Sequence, residues 1–451
     1  MSKSKTIFIC QSCGVSSPKW MGKCSHCDSW NSFEEQVIET NAGRKIFTNT
    51  AIASQPVSLV SVKSVKHQRL FTSINEFDRV VGGGLMPGSV ILIGGEPGVG
   101  KSTLLLQLAL LNKDWKTLYV AGEESEYQIK DRAIRLGCIH ENCLITNIMA
   151  VEELCQLFQD IKPDIVIIDS IQTIRSQNLE SIPGTISQIR ESAYQLINAA
   201  KYLNIPLFLV GHITKVGNIA GPKVLEHLVD TVLQFEGEQS NGLRILRTTK
   251  NRFGNTSEIG IFEMQQTGLM EVSNPSEVLI DTHSELLPGV ALALVNEGIR
   301  PLVIEVQALV SATSFGMPQR SSNGYDHKRL NMLLAVLEKR AGLKLSTRDV
   351  FVNVTGGIKI TDTAADMALA AAIISSFLDI VTGTDTCFTG EVGLSGEIRP
   401  VRQINNRTEE ASRLGFKNIV SAPVKTGVKS SVIPITEVKG LVKYLSKQLV
   451  K

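Results

Sequence analysis

Eight consecutive residues have the types and spacing of a phosphate-binding loop. They fit the pattern G-x-x-x-x-G-K-[ST] and read Gly95-Glu96-Pro97-Gly98-Val99-Gly100-Lys101-Ser102. The apolar run Val90–Ile93 precedes them, and a leucine-rich segment of helical composition follows. A glycine-rich turn between a strand and a helix directs backbone N–H groups toward phosphate oxygens at the helix N-terminus. The pattern therefore predicts a site for a nucleoside triphosphate rather than a glycine turn without a ligand.

Two side chains of this loop can complete the binding of ATP and Mg²⁺. The ammonium of Lys101 can reach the β- and γ-phosphates, and the hydroxyl of Ser102 can coordinate Mg²⁺. The predicted ATP-binding residues are Gly95, Glu96, Pro97, Gly98, Val99, Gly100, Lys101, Ser102 and Thr103.

Carboxylates follow two further apolar runs. Asp169 comes directly after Ile165–Ile168, where it can help to hold Mg²⁺. Glu123 and Glu124 come after Leu118–Val120, and a carboxylate there can orient and deprotonate the water that attacks the γ-phosphate. Adjacent side chains of an extended segment point in different directions, so only one glutamate is expected to act, and we predict Glu123. A helix cap at Asp169 and caps or salt bridges of both glutamates are the alternatives.

Four of the eight cysteines are closely spaced near the N-terminus. They form the pattern C-x₂-C…C-x₂-C and are Cys10, Cys13, Cys24 and Cys27. Four thiolates at this spacing predict a tetrahedral Zn²⁺ site with no open position for catalysis. Trp20, Trp30 and Phe33 are expected to supply the apolar packing of this small ribbon. Paired disulfides are the alternative, which a cytoplasmic chain disfavours.

Composition and element order indicate a multidomain α/β protein. The 451 residues suffice for two or three domains, and 46 Lys+Arg against 44 Asp+Glu give no strong overall charge. No apolar stretch is long enough to span a bilayer and no secretory signal is recognisable, so we expect a cytoplasmic protein without membrane contact. From residue 71 onward, strands alternate with helices as in a parallel sheet, whereas from residue 275 the pattern is α+β.

The elements expected in these two regions can be bounded from their apolar runs. The predicted strands of the sheet are Val90–Ile93, Leu118–Val120, Ile165–Ile168, Leu207–Val210, Thr231–Phe235 and Arg244–Thr248. In the second region, helices are expected over Lys328–Arg340 and Ala364–Phe377. Between the ribbon and the sheet, a polar stretch without periodicity is predicted to be a linker.

Several motifs together resemble one bacterial family. The run Phe77–Ser89 before the phosphate loop is similar to that of RecA-type ATPases. With the cysteine pattern, four further segments resemble the bacterial RadA (Sms) family, namely Tyr119–Ser125, Gly211–Lys215, Ala220–His227 and Lys250–Gly254. The resemblance covers essentially the whole chain. It implies an α/β fold with a RecA-like P-loop core, an N-terminal zinc ribbon at 1–35, a linker at 36–68, an ATPase domain at 69–272 and an α+β Lon-protease-like domain at 273–451.

This resemblance also implies a function. It is that of a DNA-dependent ATPase in recombinational repair, a homohexameric ring that translocates on single-stranded or branched DNA, promotes branch migration and works with a RecA-type recombinase. Lys250 and Arg252 match a pair that enters the neighbouring subunit's ATP site, and His212 lies where a γ-phosphate sensor is expected. Lys215 and Lys223 flank a glycine-containing loop that is expected to face DNA. Solvated cations and a structural histidine are the alternatives for these residues.

The C-terminal region resembles a protease domain without its catalytic pair. Its anchor is the run Phe388–Val401. Where the Lon-type serine and lysine are expected, this chain carries Ala365 and Asn405, neither of which can replace the lost group. Peptidase activity is therefore not expected. A second competing function, a KaiC-like signalling ATPase without DNA, is disfavoured by the zinc ribbon and the Lys250–Gly254 motif.

Overall fold

The computed structural model describes most of the chain. The described residues are 4–10, 15–26, 28, 30–39, 58, 68–212, 225–237, 242–280, 287–313, 316–424 and 431–447. They fall into two compact units. The first lies within Met1–Glu236, Arg244–Thr256 and Phe262–Glu271, and the second within Gly237–Leu243, Ser257–Ile261 and Val272–Lys451. In these described ranges, no helix is both long and apolar enough to cross a membrane.

The N-terminal ribbon is built on antiparallel strands. These are β1 (Ser4–Cys10), β2 (Ser16–Ser17) and β3 (Phe33–Glu39). They pair in the order β2-β1-β3, with Cys10 opposite Phe33. Because β3 pairs with β1 as far as Glu39, regular structure continues beyond residue 35, where the sequence predicts that the linker begins.

The packing expected of the ribbon aromatics is only partly correct. Phe33 is buried with Cys10 and Cys24 in the small core. Trp20 and Trp30, in contrast, are 53% and 72% exposed, so the prediction that they fill this core is wrong. A ribbon of this size has room for few large side chains in its core.

A large sheet with flanking helices forms the central part of the chain. In chain order its elements are α1 (Asn75–Val80), β4 (Val90–Gly95), α2 (Lys101–Leu111), β5 (Thr117–Ala121), α3 (Glu126–Arg135), β6 (Cys143–Thr146), α4 (Val151–Ile161), β7 (Ile165–Asp169), α5 (Ile186–Leu203), β8 (Leu207–His212), β9 (Thr231–Gly237), β10 (Leu243–Asn251), β11 (Ile259–Gln265) and β12 (Gly268–Glu271). Among the described strands the order is β12-β11-β10-β9-β4-β8-β7-β5-β6. The strands from β9 to β6 are parallel, whereas β11 and β12 are antiparallel.

The sheet is buried on both faces. Val90 and Leu92 of β4 contribute to one hydrophobic core, and the alternating Ile91 and Ile93 contribute to the other. Continuous apolar runs are typical of such doubly covered parallel strands, which is why the sequence identifies them. The carboxyl ends of the strands meet at one edge. Gly95 of β4 is in register with His212 of β8, so these two strands end side by side.

The second unit is an α+β structure. Its elements are α6 (Pro275–Val278), β13 (Val290–Glu297), β14 (Arg300–Ala312), β15 (Arg320–Asn323), α7 (His327–Val336), β16 (Arg348–Val354), α8 (Asp366–Leu378), β17 (Thr386–Thr389), β18 (Glu391–Val392), β19 (Ile398–Arg399), α9 (Ile404–Arg413), β20 (Asn418–Ser421), β21 (Ser431–Pro434) and α10 (Val438–Ser446). The described strands of its main sheet have the order β15-β16-β14-β13-β17-β20-β21. The alanine-rich α8 packs against the centre of this sheet.

The two helices predicted in this unit exist with altered ends. The α-helical part of the first runs over α7, and the chain continues to Ala341 as a π-helical turn. The second, α8, begins at Asp366 after a short 3₁₀ turn, Thr363–Ala365. The predicted fold class, a parallel α/β core with an N-terminal ribbon and a C-terminal α+β unit, is confirmed.

Candidate nucleotide-binding site

The phosphate loop lies between β4 and α2, and its glycines are required by its conformation. Gly98 and Gly100 have φ values of +78° and +114°, which residues with a Cβ rarely adopt. A Cβ at Gly95 would lie 2.6 Å from the carbonyl oxygen of Phe235. Gly100 precedes the first turn of α2 and provides no side-chain cap, so the first N–H groups of this helix are directed toward the loop. This arrangement fits a bound phosphate.

Lys101 is held against the same loop. Its side chain is buried, and Nζ donates hydrogen bonds to the carbonyl oxygens of Gly95 and Glu96, both at 2.9 Å. Burial lowers the pKa of the ammonium, while the carboxylates of Asp169 and Glu123 act in the opposite direction. The two predicted carboxylates are therefore near enough to Lys101 to favour its charged form.

Hydroxyl groups hold these two carboxylates. Tyr119 of β5 donates to Oδ2 of Asp169 at 2.6 Å. Ser170 donates to Oε1 of Glu123, also at 2.6 Å. Burial raises the pKa of Tyr119 well above its usual value, and Asp169 adds to this shift, so the phenol stays protonated and acts as the donor. Sequence reasoning missed both hydroxyls, because a tyrosine within an apolar run is typical of core packing.

The two adjacent glutamates have different environments. Glu124 forms an ion pair with Arg132 of α3, whereas Glu123 bonds to Ser170 beside Asp169. The strands β5 and β7 pair with Ala121 opposite Asp169, which brings Glu123 close to the end of β7. Of the two, Glu123 is the one that acts electrostatically on Lys101.

Lys250 and Arg252 lie at the opposite end of the sheet. Lys250 Nζ donates to the carbonyl oxygens of Glu226 and Val229, at 2.6 and 2.9 Å. Partial burial and the neighbouring Arg252 lower its pKa. Arg252 contacts Asp230, with Nη1 and Oδ1 3.3 Å apart.

The contacts of Asp230 show how far Lys250 and Arg252 lie from the phosphate loop of their own chain. Its Oδ2 accepts from the backbone N–H of Val90, the first residue of β4, whereas the phosphate loop follows the last residue of that strand. Six residues of strand separate the two ends, which corresponds to about 17 Å. Lys250 and Arg252 are therefore not brought to the phosphate loop of their own chain.

Several predicted site residues lie partly or wholly outside the described residues. The backbone of His212 ends β8 beside Gly95, but its side chain is not described. Lys215 and Lys223, the predicted DNA contacts, lie outside the described residues altogether, as do Cys13 and Cys27.

Two predicted zinc ligands are buried together. Cys10 and Cys24 share the ribbon core, and Cys10 Sγ lies 3.1 Å from Ser32 Oγ. Paired buried sulfurs in a small core fit half of a four-thiolate zinc site. Within the part of the ribbon that is described, no group of three or more potential ligands occurs.

The second unit contains Ala365 and Asn405, the two positions at which the sequence analysis expects no protease side chain. Ala365 is fully buried, in the turn before α8, and Asn405 lies in the first turn of α9. Asp362 and Arg407 join these two segments through an ion pair of 2.6 Å. A buried alanine methyl at this position presents no reactive group.

The side chain of Arg329 has a structural partner, Asp366, that the sequence analysis did not predict. Arg329 of α7 lies in a locally basic stretch of the sequence that also contains Lys328, Lys339, Arg340, Lys344 and Arg348. Arg329 forms a bidentate ion pair with the buried Asp366: Nε donates to Oδ1 at 2.7 Å and Nη2 donates to Oδ2 at 2.6 Å. Tyr325 also donates to Asp366. An aspartate that opens an otherwise apolar, alanine-rich helix is the signal that could have identified this pair.

These features define a class of protein: a P-loop nucleotide-binding α/β domain that follows a cysteine ribbon and precedes an α+β unit. Three family models match the corresponding regions. They are described as a rubredoxin metal binding domain at residues 8–35, an AAA domain at 56–218 and subunit ChlI of Mg-chelatase at 307–424. The chain thus contains a nucleotide-binding domain of an ATPase type.

Curated relatives extend over almost the whole chain. DNA repair protein RadA of Bacillus subtilis (strain 168) is 47% identical over 425 residues, which is 93% of each chain. The proteins of the same name from Halalkalibacterium halodurans and Listeria monocytogenes are 46% and 47% identical, again over 93% of each chain. The chain belongs to the RadA family.

Solved structures match a smaller part. A KaiC-like protein, PH0186, from Pyrococcus horikoshii OT3 is 18% identical with a TM-score of 0.38, covering 46% of this chain and 99% of that one. The RadB recombinase is 22% identical with a TM-score of 0.37, covering 45% of this chain and 100% of that one.

Proposed function

We propose that the chain is a DNA-dependent ATPase of recombinational DNA repair. It works in the cytoplasm as a homohexameric ring that translocates on single-stranded or branched DNA and promotes branch migration with a RecA-type recombinase. The relatives are named as DNA repair proteins, which supports this process. The observation that carries the enzymatic part is the grouping of Lys101, Glu123 and Asp169 at one edge of the sheet.

In the proposed reaction, each residue of this group has a separate task. The loop from Gly95 to Thr103 binds the phosphates through backbone N–H groups, and Lys101 neutralises charge on the β- and γ-phosphates. Bound Mg²⁺ would withdraw charge from the same phosphates. Ser102 and Asp169 are its protein ligands in this proposal. Glu123 orients the attacking water and accepts its proton, and His212 senses the γ-phosphate.

The ring is supported by the location of Lys250 and Arg252. Since these cations lie about a strand length from their own phosphate loop, they complete a neighbouring subunit's site rather than their own. Cations that reach the γ-phosphate from a neighbour stabilise the charge of the transition state and make hydrolysis depend on assembly.

The remaining parts of the chain have supporting tasks. A zinc ribbon (1–35, with Cys10, Cys13, Cys24 and Cys27 as ligands) and a linker (36–68) precede the ATPase domain (69–272). Lys215 and Lys223 in that domain contact the DNA backbone. The Lon-protease-like domain (273–451) is proteolytically inactive, which is supported by the buried Ala365 and by the ion pair between Asp362 and Arg407.

Phosphate release measured with and without single-stranded DNA tests this proposal. We expect DNA to stimulate turnover of the wild-type protein, and neither rate should remain in Lys101→Ala. Lys113→Ala, which removes an exposed lysine just after α2, is the matched control and should behave as wild type. A protein whose turnover ignores DNA would instead fit a signalling ATPase, and an ATP-dependent peptidase activity would contradict the proposal directly.

A further inference from the structure

Two buried hydroxyl groups each donate to one carboxylate of the candidate site. Tyr119 is 1% exposed and bonds to Asp169, and Ser170 is fully buried and bonds to Glu123. Hydrogen bonds to ionised carboxylates are stronger than those between neutral groups, and both bonds have the short length typical of this kind. Each carboxylate therefore has one oxygen held by a donor that is itself fixed by packing.

The backbone around these hydroxyls is locked. The N–H of Gly122 donates to the carbonyl oxygen of Asp169 at 2.7 Å, which joins the ends of β5 and β7. Thr173 Oγ1 donates to the carbonyl oxygen of Ser170 at 2.7 Å. A Cβ at Gly122 would lie 1.9 Å from the same Oγ1, so only glycine allows this close approach. The two donors and the two carboxylates consequently share one rigid frame.

We propose that Tyr119 and Ser170 are positioning residues with separate targets. Tyr119 fixes the plane of Asp169 so that its carboxylate presents a defined direction to Mg²⁺, and Ser170 fixes Glu123 toward the attacking water. Donors behind a metal ligand typically influence metal affinity or activity by 10–100-fold. This inference rests on the function proposed above for Asp169 and Glu123.

The pairing predicts that the two hydroxyls affect different measurements. Loss of the Tyr119 hydroxyl weakens the contribution of Mg²⁺ to nucleotide binding, because Asp169 can then rotate. Loss of the Ser170 hydroxyl leaves nucleotide binding unchanged and slows turnover, because Glu123 acts only in the chemical step. General loss of packing would lower nucleotide affinity with and without the metal.

The Tyr119 arm is tested by binding rather than by activity. The dissociation constant of a fluorescent, non-hydrolysable ATP analogue is measured in EDTA and in saturating Mg²⁺. We expect Tyr119→Phe to reduce the gain from Mg²⁺ roughly tenfold and to leave the affinity in EDTA unchanged. Tyr194→Phe, on α5 and more than half exposed, is the matched control. An unchanged gain from Mg²⁺, or an equal loss of affinity in EDTA, would overturn the assignment of Tyr119.

The Ser170 arm is tested by a double-mutant cycle. We expect Ser170→Ala to reduce the turnover number roughly tenfold, the size of one hydrogen bond to a charged group, with unchanged nucleotide affinity. In a Glu123→Gln background it should have almost no further effect, because both changes act on the same group. Ser192→Ala, which is equally buried, is the control. Additive effects on turnover would show that Ser170 does not act through Glu123.

The outcome is distinguishable from failure of the proposed function. If Lys101→Ala and Glu123→Gln keep wild-type turnover, the site itself is wrong. If Lys101→Ala and Glu123→Gln lose turnover while Tyr119→Phe and Ser170→Ala behave as their controls, the proposed site is correct and the positioning roles are wrong.

Discussion

At the scale of single residues, the two adjacent glutamates show how little separates a catalytic candidate from a structural one. Glu123 and Glu124 have the same chemistry and are neighbours in the sequence. One is bonded by Ser170 near Lys101, and the other is paired with Arg132 of α3. Glu123 is therefore the one that we propose to act in hydrolysis.

Exchange of each glutamate for glutamine separates these roles. Glu123→Gln should bind ATP normally and lose turnover by about a hundredfold or more, because it removes the proposed general base. Glu124→Gln should keep turnover and lose only a partly exposed ion pair, about 1 kcal/mol or less of stability. Phosphate release and nucleotide binding are measured for both variants. Loss of turnover in Glu124→Gln alone would reverse the assignment.

At the scale of elements, the central strands could be predicted and the edges could not. Each of the six strands predicted for the sheet is present, since a strand covered on both faces has a continuous apolar sequence. In contrast, β6 is half-buried at the sheet edge, and β11 and β12 form an antiparallel pair. These three strands therefore lack the continuous apolar sequence of a strand covered on both faces. Similarly, local sequence identified Lys101 and Asp169, whereas their hydroxyl neighbours depend on pairing between distant strands.

The Arg329–Asp366 pair illustrates the same limit in the second unit. Both residues are polar positions in helices, and only the folded structure shows that Arg329 of α7 bonds to the first residue of α8. The Asp366 hydrogen bond and the opposite charge hold the pKa of Arg329 above its usual value, against the effect of burial. The charge of Arg329 is therefore balanced by a buried carboxylate of its own unit.

Removal of Arg329 should destabilise this unit. Arg329→Met leaves the buried carboxylate of Asp366 without its cation, which typically costs about 3–5 kcal/mol. Denaturant unfolding followed by circular dichroism measures the change, with Arg402→Met as the exposed control. A loss as small as that of the control would mean that Tyr325 and the N–H of Val392 suffice to hold Asp366.

At the scale of the whole molecule, the proposed ring can be tested by mixing two inactive chains. Arg252→Ala should bind ATP in its own site without hydrolysing it. Lys101→Ala keeps Arg252 but should be inactive because its own phosphate loop has lost the lysine. In mixed rings, some interfaces combine an intact phosphate loop with an intact Arg252 from the next chain. We therefore expect partial recovery of phosphate release on mixing.

This experiment needs proof that the chains assemble together. Pull-down of differently tagged chains provides it, and wild type mixed with Lys101→Ala gives the reference for diluted activity. If the two variants assemble into mixed rings in which each interface hydrolyses ATP independently, and no hydrolysis is recovered, Arg252 does not act on the neighbouring chain.

The distance along β4 between Arg252 and its own phosphate loop has a consequence in terms of mass action. In the proposed ring, a chain on its own lacks the Arg252 that completes its ATP site and is therefore inactive. The specific activity then depends on protein concentration. Dilution below the dissociation constant of the ring would switch hydrolysis off without any change in the site. ATP consumption would then be confined to places where enough chains have gathered to assemble.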